Sequence, residues 1–338
     1  MLKTTIFNDI KNLLDEHLTA IEQLSENEGG RSQDYKAGFC DAVALVKRLS
    51  HDLERSWSLT SVYEHPPHPH PRSRTYRSEP ADWWIEDTDA SALRGFIAQR
   101  MNHIESGESK TTRQPAIVFD LDGTLFDVGH RTLGIVKQWL ALTEAKRFPE
   151  ALTRKVGSIG FNHIGYSLSH AFENAGLDLR NPDIMEILLT IERFWRKKFF
   201  DGETLVEHDA VYSGAVDFVW FCQRMGIKIV YLTGRSHKVM FDGTIKQLAK
   251  FGFPVEGAET ILKLNTLTDD SVYKEEAFRT ICSKYNVIGN FENEYVNIRG
   301  MVQSNPQAMH IIVDSQHSGR PTQPLSERVY RIQSFADQ

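Results

Sequence analysis

The sequence predicts an α/β protein in which a Rossmann-like parallel sheet carries an inserted all-helical domain and a helical N-terminal extension. Three observations support this prediction. Short apolar runs alternate with amphipathic helical patterns after Pro115, helical periodicity fills residues 128–210, and two apolar stripes at three- and four-residue steps occupy residues 1–60. Strands that alternate with helices are typical of a parallel sheet whose ligands bind at the carboxyl ends of its strands.

Length and composition restrict the class of protein. The chain has 338 residues, with 39 Lys and Arg against 45 Asp and Glu, so its formal net charge is −6. This mildly acidic balance argues against a broad nucleic-acid-binding surface. Three scattered cysteines exclude a disulfide framework and favour a reducing compartment. No run of about 18 apolar residues and no leader pattern occurs, so we expect no membrane span and a cytoplasmic protein.

Residues 1–60 predict two amphipathic helices that form a hairpin, with a break at Gly29 and Gly30. A two-helix hairpin buries little apolar surface, so it would dock on the main domain, on a second copy in a homodimer, or on another partner. Residues 61–82 are rich in Pro and His, which predicts an extended linker; a loose metal site at these histidines is the alternative reading. Residues 83–114 predict a short helix and a connection.

The main domain is predicted to comprise residues 115–127 and 211–338, interrupted by the helical insert 128–210. Four apolar runs in it read as strands: Ala116–Phe119, Ile227–Leu232, Val287–Ile288 and His310–Val313. Each of the last three follows a helix or a connection that is long enough for a crossover. Continuous apolar runs of this kind are typical of strands that are buried on both faces.

The first run ends in Asp120-Leu121-Asp122-Gly123-Thr124-Leu125. Two carboxylates spaced two residues apart at a strand end lie on the same side, where a parallel sheet opens its ligand crevice. One carboxylate can attack phosphorus while the other exchanges a proton with the leaving oxygen. Gly123 permits the tight turn that keeps the backbone close to both acids.

The second run ends in Thr233-Gly234-Arg235. The Thr233 hydroxyl can donate a hydrogen bond to a phosphoryl oxygen, and Gly234 lets backbone N–H groups approach the same anion. On its own this tripeptide is most often a simple turn. Next to the aspartate pair it indicates a phosphoryl-binding edge.

These two segments resemble the first and second motifs of the haloacid dehalogenase superfamily, chiefly its phosphatases, over about residues 115–315. The resemblance implies that Asp120 is the nucleophile, that Asp122 is the general acid and base, and that Thr233 contacts the phosphoryl group. It further implies that residues 128–210 form a helical cap of the type inserted after the first motif. Substrate-binding roles are predicted for the neighbours of these motifs, Gly123, Thr124, Gly234 and Arg235.

The superfamily's third motif requires a lysine near the start of a later helix. Lys274 fits because Asp269-Asp270-Ser271 can cap its helix, which leads into the next strand; Lys263 is the rival. The ammonium would neutralise charge on the nucleophile and on the phosphoryl group.

The fourth motif departs from the family pattern, since Gly289-Asn290-Phe291-Glu292-Asn293-Glu294 stands where an acid normally follows glycine. Mg²⁺ prefers oxygen ligands, of which some are anionic. We expect Mg²⁺ to bind Asp120, the backbone carbonyl of Asp122, and Glu292 or Asn290, with Glu294 acting through water. A lost metal site is the alternative. Asp314, at the end of the last strand, reads as a turn residue that could border the crevice.

Together these patterns predict a Mg²⁺-dependent phosphomonoester hydrolase that acts on a small phosphorylated metabolite through an aspartyl-phosphate. Two alternatives share the same residues. A non-catalytic phosphoryl-ligand-binding or regulatory protein would explain the altered fourth motif, and a phosphotransferase would pass the phosphoryl group to an acceptor other than water. The residues do not name the substrate, because specificity depends on the cap.

Overall fold

A computed structural model describes residues 80, 83–107, 112–264 and 267–337, all of which belong to the unit His68–Gln338. The predicted N-terminal hairpin and nearly all of the Pro/His-rich linker therefore lie outside the described residues. Among the described residues, no helix combines the length and the apolar content needed to cross a lipid bilayer.

Seven parallel strands form the main sheet, in the order β1-β9-β8-β7-β2-β5-β6, which confirms the predicted α/β class. Its strands are β1 (Trp83–Asp87), β2 (Pro115–Phe119), β5 (Lys228–Ser236), β6 (Glu259–Lys263), β7 (Asn286–Glu292), β8 (Met309–Val313) and β9 (Leu325–Ile332). A separate antiparallel ribbon pairs β3 (Phe126–Asp127) with β4 (Ala210–Val211).

Helices connect these strands. In the sheet domain they are α1 (Ala90–Glu105), α7 (Ala215–Arg224), α8 (His237–Lys250), α9 (Asp270–Lys284) and α10 (Tyr295–Ser304). The insert contains α2 (Gly129–Leu140), α3 (Glu150–Gly157), α4 (Leu168–Asn174), α5 (Pro182–Phe199) and α6 (Gly202–His208), with 3₁₀ turns at Thr143–Arg147 and Phe161–His163.

Strand β2 lies inside the sheet, between β5 and β7, and its last four residues are buried. Ala116 and Val118 pack with Phe278 and Met301 on one face, whereas Phe119 stacks on Phe291 with ring centroids 4.8 Å apart. From β2 the chain runs outward through β5 and β6, then returns to β7 on the other side. The strand order therefore reverses between β2 and β7, and this is where open α/β sheets bind ligands.

The insert has a hydrophobic core of its own. Its helices bury large apolar side chains against one another, including Trp139, Phe172, Ile187 and Ile191. The β3–β4 ribbon joins the two ends of the insert, since Asp127 pairs with Ala210 and Phe126 with Val211. Residues 128–210 thus leave and re-enter the sheet domain at a single place.

Strands β1 and β9 were not predicted from the sequence. The segment 83–114 was expected to hold only a helix and a connection, yet Trp83–Asp87 pairs in parallel with β9. As an edge strand, β1 is largely exposed or half-buried, and in β9 polar residues are interspersed among apolar ones. Neither segment therefore shows the continuous apolar run that marks a central parallel strand.

His310 in β8 predicts a pH dependence of stability. It is buried, with Nε2 2.9 Å from the carbonyl oxygen of Asn305, and burial lowers the pKa of His310 to about 4. The unfolded chain would bind this proton near its usual pKa of about 6.5, so stability falls as the pH drops from about 6.5 to 4. We expect the free energy of unfolding to fall by about 3 kcal/mol less between pH 7 and pH 4 in His310→Gln than in wild type.

Urea unfolding of both proteins at pH 7 and pH 4 measures this difference. The exposed His103 of α1 provides the control, since His103→Gln should leave the decline unchanged. Equal pH dependence in wild type and His310→Gln would contradict the prediction.

Candidate functional site

Asp120, Lys274 and Glu292 form a buried group at the point where the strand order reverses. Asp120 follows β2, and Glu292 ends β7; because Phe119 pairs with Phe291, the next residue on each strand lies side by side. Lys274, in the second turn of α9, places Nζ 2.7 Å from Asp120 Oδ1 and 2.6 Å from Glu292 Oε2. One ammonium thus bridges two carboxylates.

The electrostatics of this group are unbalanced toward negative charge. Burial and the Glu292 carboxylate raise the pKa of Asp120 to about 7, against the opposing effect of Lys274. Burial alone would lower the pKa of Lys274, but Asp120 and Glu292 raise it above its ordinary value, so Lys274 stays charged. Because this group has two carboxylates and one ammonium, it favours the binding of a further cation or of a proton.

The turn after Asp120 orients this carboxylate. Thr124 is buried, and its hydroxyl donates to Asp120 Oδ2 over 3.1 Å. The backbone N–H of Asp120 also donates to the carbonyl oxygen of Phe291, at 3.0 Å. Thr124 therefore contacts the predicted nucleophile itself, whereas the sequence predicted a contact with substrate.

Gly123 is required at this turn for two reasons. Its φ of +81° lies in the left-handed region, and a Cβ there would approach Asn293 Nδ2 to 2.2 Å. Gly226 offers a matched control, because its φ is +76° but a Cβ would meet nothing within 4 Å. We expect Gly226→Ala to cost about 1 kcal/mol from backbone strain alone.

Gly123→Ala should cost at least about 2 kcal/mol, since the Asn293 side chain must also move. Urea unfolding of the two variants measures this difference. Equal losses would mean that Asn293 moves aside freely, contrary to the prediction.

The second predicted motif lies at the end of β5. Thr233 is buried, and its Oγ1 accepts from the backbone N–H of Arg235 at 3.3 Å. At Gly234, an added Cβ would come within 3.1 Å of the Asp270 carboxyl group. The Arg235 guanidinium does not fit its predicted substrate contact, because it is buried against Asp122, with Nε 3.1 Å from Oδ2 and Nη2 2.6 Å from Oδ1.

A second arginine holds the same aspartate. Arg131 of α2 donates from Nη2 to Asp122 Oδ1 over 2.9 Å. Burial alone would raise the pKa of Asp122, but the two guanidinium groups hold it well below its ordinary value. Sequence reasoning did not find Arg131, because a charged residue in an amphipathic helix normally reads as part of the solvated face.

In the fourth motif the structure brings Glu292, and not Asn290, next to Asp120. Asn290 pairs with Val118 inside the sheet, and its Nδ2 lies 3.1 Å from Met301 Sδ, so the structure does not bring it to Asp120. Glu292 instead stands at the strand end, with Oε1 accepting from the N–H groups of Asn293 and Glu294. Glu294 Oε1 accepts from Ser318 N at 2.7 Å.

The other candidates have local partners or lie at strand ends. Lys263, the rival lysine, lies 2.6 Å from Asp270 Oδ1, and Asp314 follows β8 with its N–H donating to the Ile332 carbonyl. Within the described ranges, no three His, Cys, Asp or Glu side chains are gathered in a preformed metal cluster. The donor set nevertheless fits one hard cation, because Asp120 and Glu292 are adjacent buried carboxylates with only one ammonium between them.

Comparisons with known proteins show what this chain is similar to. Residues 188–328 match the family model of the HAD superfamily, subfamily IIIB (acid phosphatase), which covers the second, third and fourth motifs. No curated protein matches the chain in sequence.

Solved structures with a similar fold include three phosphatase-type or related proteins. A predicted phosphoglycolate phosphatase from Haemophilus somnus is 15% identical, with 68% of this chain and 97% of that one covered and a TM-score of 0.42. CbbY from Rhodobacter sphaeroides, in complex with phosphate, is 15% identical over 67% and 96%, with a TM-score of 0.38. A class C acid phosphatase from Bacillus anthracis with tungstate bound is 17% identical over 64% and 69%, with a TM-score of 0.33.

Proposed function

We propose that the chain carries a phosphatase domain of the haloacid dehalogenase superfamily, and that it hydrolyses small phosphate monoesters through an aspartyl-phosphate on Asp120. The observation that carries the proposal is the position of the Asp120 carboxylate. It lies at the carboxyl end of β2, beside Lys274 and Glu292, where the sheet topology opens a crevice.

In the first step an Asp120 oxygen attacks phosphorus, the ester P–O bond breaks, and the leaving oxygen takes a proton from the Asp122 carboxyl group. Because Arg131 and Arg235 lower the pKa of Asp122, only the minor protonated form of this carboxyl group donates the proton. In the second step the Asp122 carboxylate accepts a proton from water, which attacks phosphorus and breaks its bond to Asp120. Lys274 and the Thr233 hydroxyl stabilise the negative oxygens of the phosphoryl group.

A Mg²⁺ ion would be held by Asp120, Glu292 and the backbone carbonyl of Asp122, and when bound it supplies positive charge at the phosphoryl oxygens. The surplus negative charge of the buried group supports this assignment. We do not include Asn290 among the ligands, because its amide is directed at Met301.

The helical insert is proposed to act as the cap that excludes water and selects the substrate. We also propose a cytoplasmic setting, which the free thiols of Cys222 and Cys282 favour. Docking of a partner or a second copy on residues 1–60 stays a prediction, because these residues lie outside the described part of the chain.

Two measurements test the proposed function. Release of phosphate from 4-nitrophenyl phosphate and from a panel of small metabolite phosphates should require Mg²⁺ and stop on addition of EDTA. Borohydride reduction during turnover should convert Asp120 into homoserine, which peptide mass spectrometry detects. A non-catalytic binder would release neither phosphate nor 4-nitrophenol. A phosphotransferase would release 4-nitrophenol when an acceptor alcohol is present, but it would pass the phosphoryl group to that alcohol and release no matching amount of inorganic phosphate.

A further inference from the structure

Asp122 belongs to a closed loop of hydrogen bonds, which we call the buried charge ring: Asp122, Arg131, Asp209, Gln247 and Arg235. Arg131 Nε donates to Asp209 Oδ1 at 2.6 Å, and Gln247 Nε2 donates to Asp209 Oδ2 at 2.7 Å. Arg235 Nη1 donates to Gln247 Oε1 at 2.8 Å and closes the ring on Asp122 through Nε and Nη2.

The ring joins the insert to the sheet domain. Arg131 lies in the first turn of α2, and Asp209 directly follows α6, so they mark the two ends of the insert. Arg235 and Gln247 come from β5 and α8 of the sheet domain. Phe199 at the end of α5 further fixes Arg131, because its carbonyl accepts from Nη1 at 3.1 Å and its ring lies 4.4 Å from the guanidinium.

Burial of charged groups lowers the stability of the fold unless each of their polar atoms has a hydrogen-bond partner. The two guanidinium groups and the Asp209 carboxylate are buried, the Asp122 carboxylate is partly exposed, and the charges of the two arginines and two aspartates balance. Within the described part of the chain, no buried side-chain nitrogen or oxygen of the ring lacks a hydrogen-bond partner. Apolar side chains of similar size would stabilise the fold at least as well, so the ring's distinctive effect is to fix one carboxylate in one place.

We propose that Arg131 is a positioning residue, which acts through the buried charge ring to set the Asp122 carboxyl group according to the position of the cap. The inference rests on the proposed function, in which Asp122 gives its proton to the leaving oxygen. Movement of the insert relative to the sheet domain carries Arg131 with it, whereas Arg235 stays on β5. The cap therefore determines whether one guanidinium or two hold the acid.

The proposal predicts a dependence on the leaving group. An alkyl phosphate requires protonation of its departing oxygen, whereas 4-nitrophenolate leaves without it. Loss of the Arg131 guanidinium favours the protonated form of Asp122 but also releases its carboxyl group from its fixed position, and the proposal requires that the loss of position dominates. We therefore expect Arg131→Gln to lower kcat/KM for an alkyl phosphate by about 10²-fold and for 4-nitrophenyl phosphate by less than about fivefold. The value of kcat/KM depends only on the steps up to departure of the leaving group, so the later attack of water does not affect it.

Arg131→Lys keeps the positive charge but loses the two-pronged contact with Asp209, and it should show the same selective loss at intermediate size. Arg196→Gln is the matched control, because Arg196 is an exposed arginine of the same insert; it should leave both rates unchanged. Equal losses on both substrates in the Arg131 variants would mean a purely structural role and would overturn the proposal, as would the absence of any loss.

Amide hydrogen exchange separates this proposal from the proposed function, since it requires no turnover. Arg131→Gln should speed exchange both in α2 and in the turn 120–126, whereas Arg196→Gln should change neither. Faster exchange confined to α2 would refute coupling between the cap and Asp122. If wild type hydrolyses neither ester while the coupled exchange is seen, the proposed function fails and the coupling stands.

Discussion

Replacement of Asp120 by Asn is expected to lower kcat by about 10⁴-fold or more, because an amide oxygen cannot take the place of the nucleophilic carboxylate. Asn keeps the shape of the side chain and an oxygen that can accept from Lys274, so the folded structure should be retained. Initial rates of phosphate release at saturating substrate measure the effect. A variant that kept more than about one per cent of the wild-type rate would exclude Asp120 as the nucleophile.

The same substitution should raise the free energy of unfolding. With the pKa of Asp120 raised to about 7, its ionised form is disfavoured in the folded protein, and this loss of stability develops as the pH rises from about 4 to above 7. In EDTA at pH 8 we expect Asp120→Asn to be more stable than wild type by about 4 kcal/mol, with no difference below pH 4.

Urea unfolding at the two pH values measures this gain. Asp242→Asn, at an exposed position of α8, is the control and should change stability by less than about 0.5 kcal/mol at both. A gain of equal size at pH 4 and pH 8 would contradict the electrostatic explanation.

Loss of the Lys274 ammonium should have the opposite effect on stability. Lys274→Met leaves the Asp120 and Glu292 carboxylates buried without a counter-charge, and removal of one partner from a buried ion pair costs about 3–5 kcal/mol. We expect a loss of this size at pH 8 and a smaller one at pH 5, where Asp120 is protonated. Phosphatase activity should fall as well, because in the proposed mechanism Lys274 also neutralises the phosphoryl group.

Lys284→Met tests the same change at the surface of the same helix. Lys284 pairs with Glu259 near the end of α9 and is largely exposed, so solvent screens this ion pair and its loss should change stability far less than the loss of Lys274. Urea unfolding of both variants at pH 8 and pH 5 provides the comparison. Losses of similar size at the two lysines would show that the buried group is not held by Lys274.

The parts of the fold that could be predicted are those whose signal is local. Central strands such as β2 and β5 are continuous apolar runs because both of their faces are buried, and the residues that follow them lie at one edge of the sheet. For this reason the positions of Asp120 and Lys274 at that edge could be predicted from the sequence. The edge strand β1 and its neighbour β9 carry polar residues, so they lack the continuous apolar run that distinguishes a central strand from a loop.

The features that sequence reasoning did not find depend on long-range pairing. The end of β7 is fixed by its register with β2, which brings Glu292 rather than Asn290 to Asp120. In the buried charge ring, Arg131 and Asp209 are 78 residues apart, and Asp122 and Arg235 are 113 apart. No local pattern connects residues at such separations.

The two-residue ribbon of β3 and β4 has a consequence for how this enzyme could be altered. The chain enters the insert after Asp127 and leaves it at Ala210, and these two residues pair with each other. A short loop from Asp127 to Ala210 could therefore replace the whole insert without stretching the chain. Such a truncated protein would keep Asp120, Lys274 and Glu292 but lose Arg131 and Asp209 from the buried charge ring. Replacing the insert with another helical segment at this junction would therefore test whether it selects the substrate, as proposed.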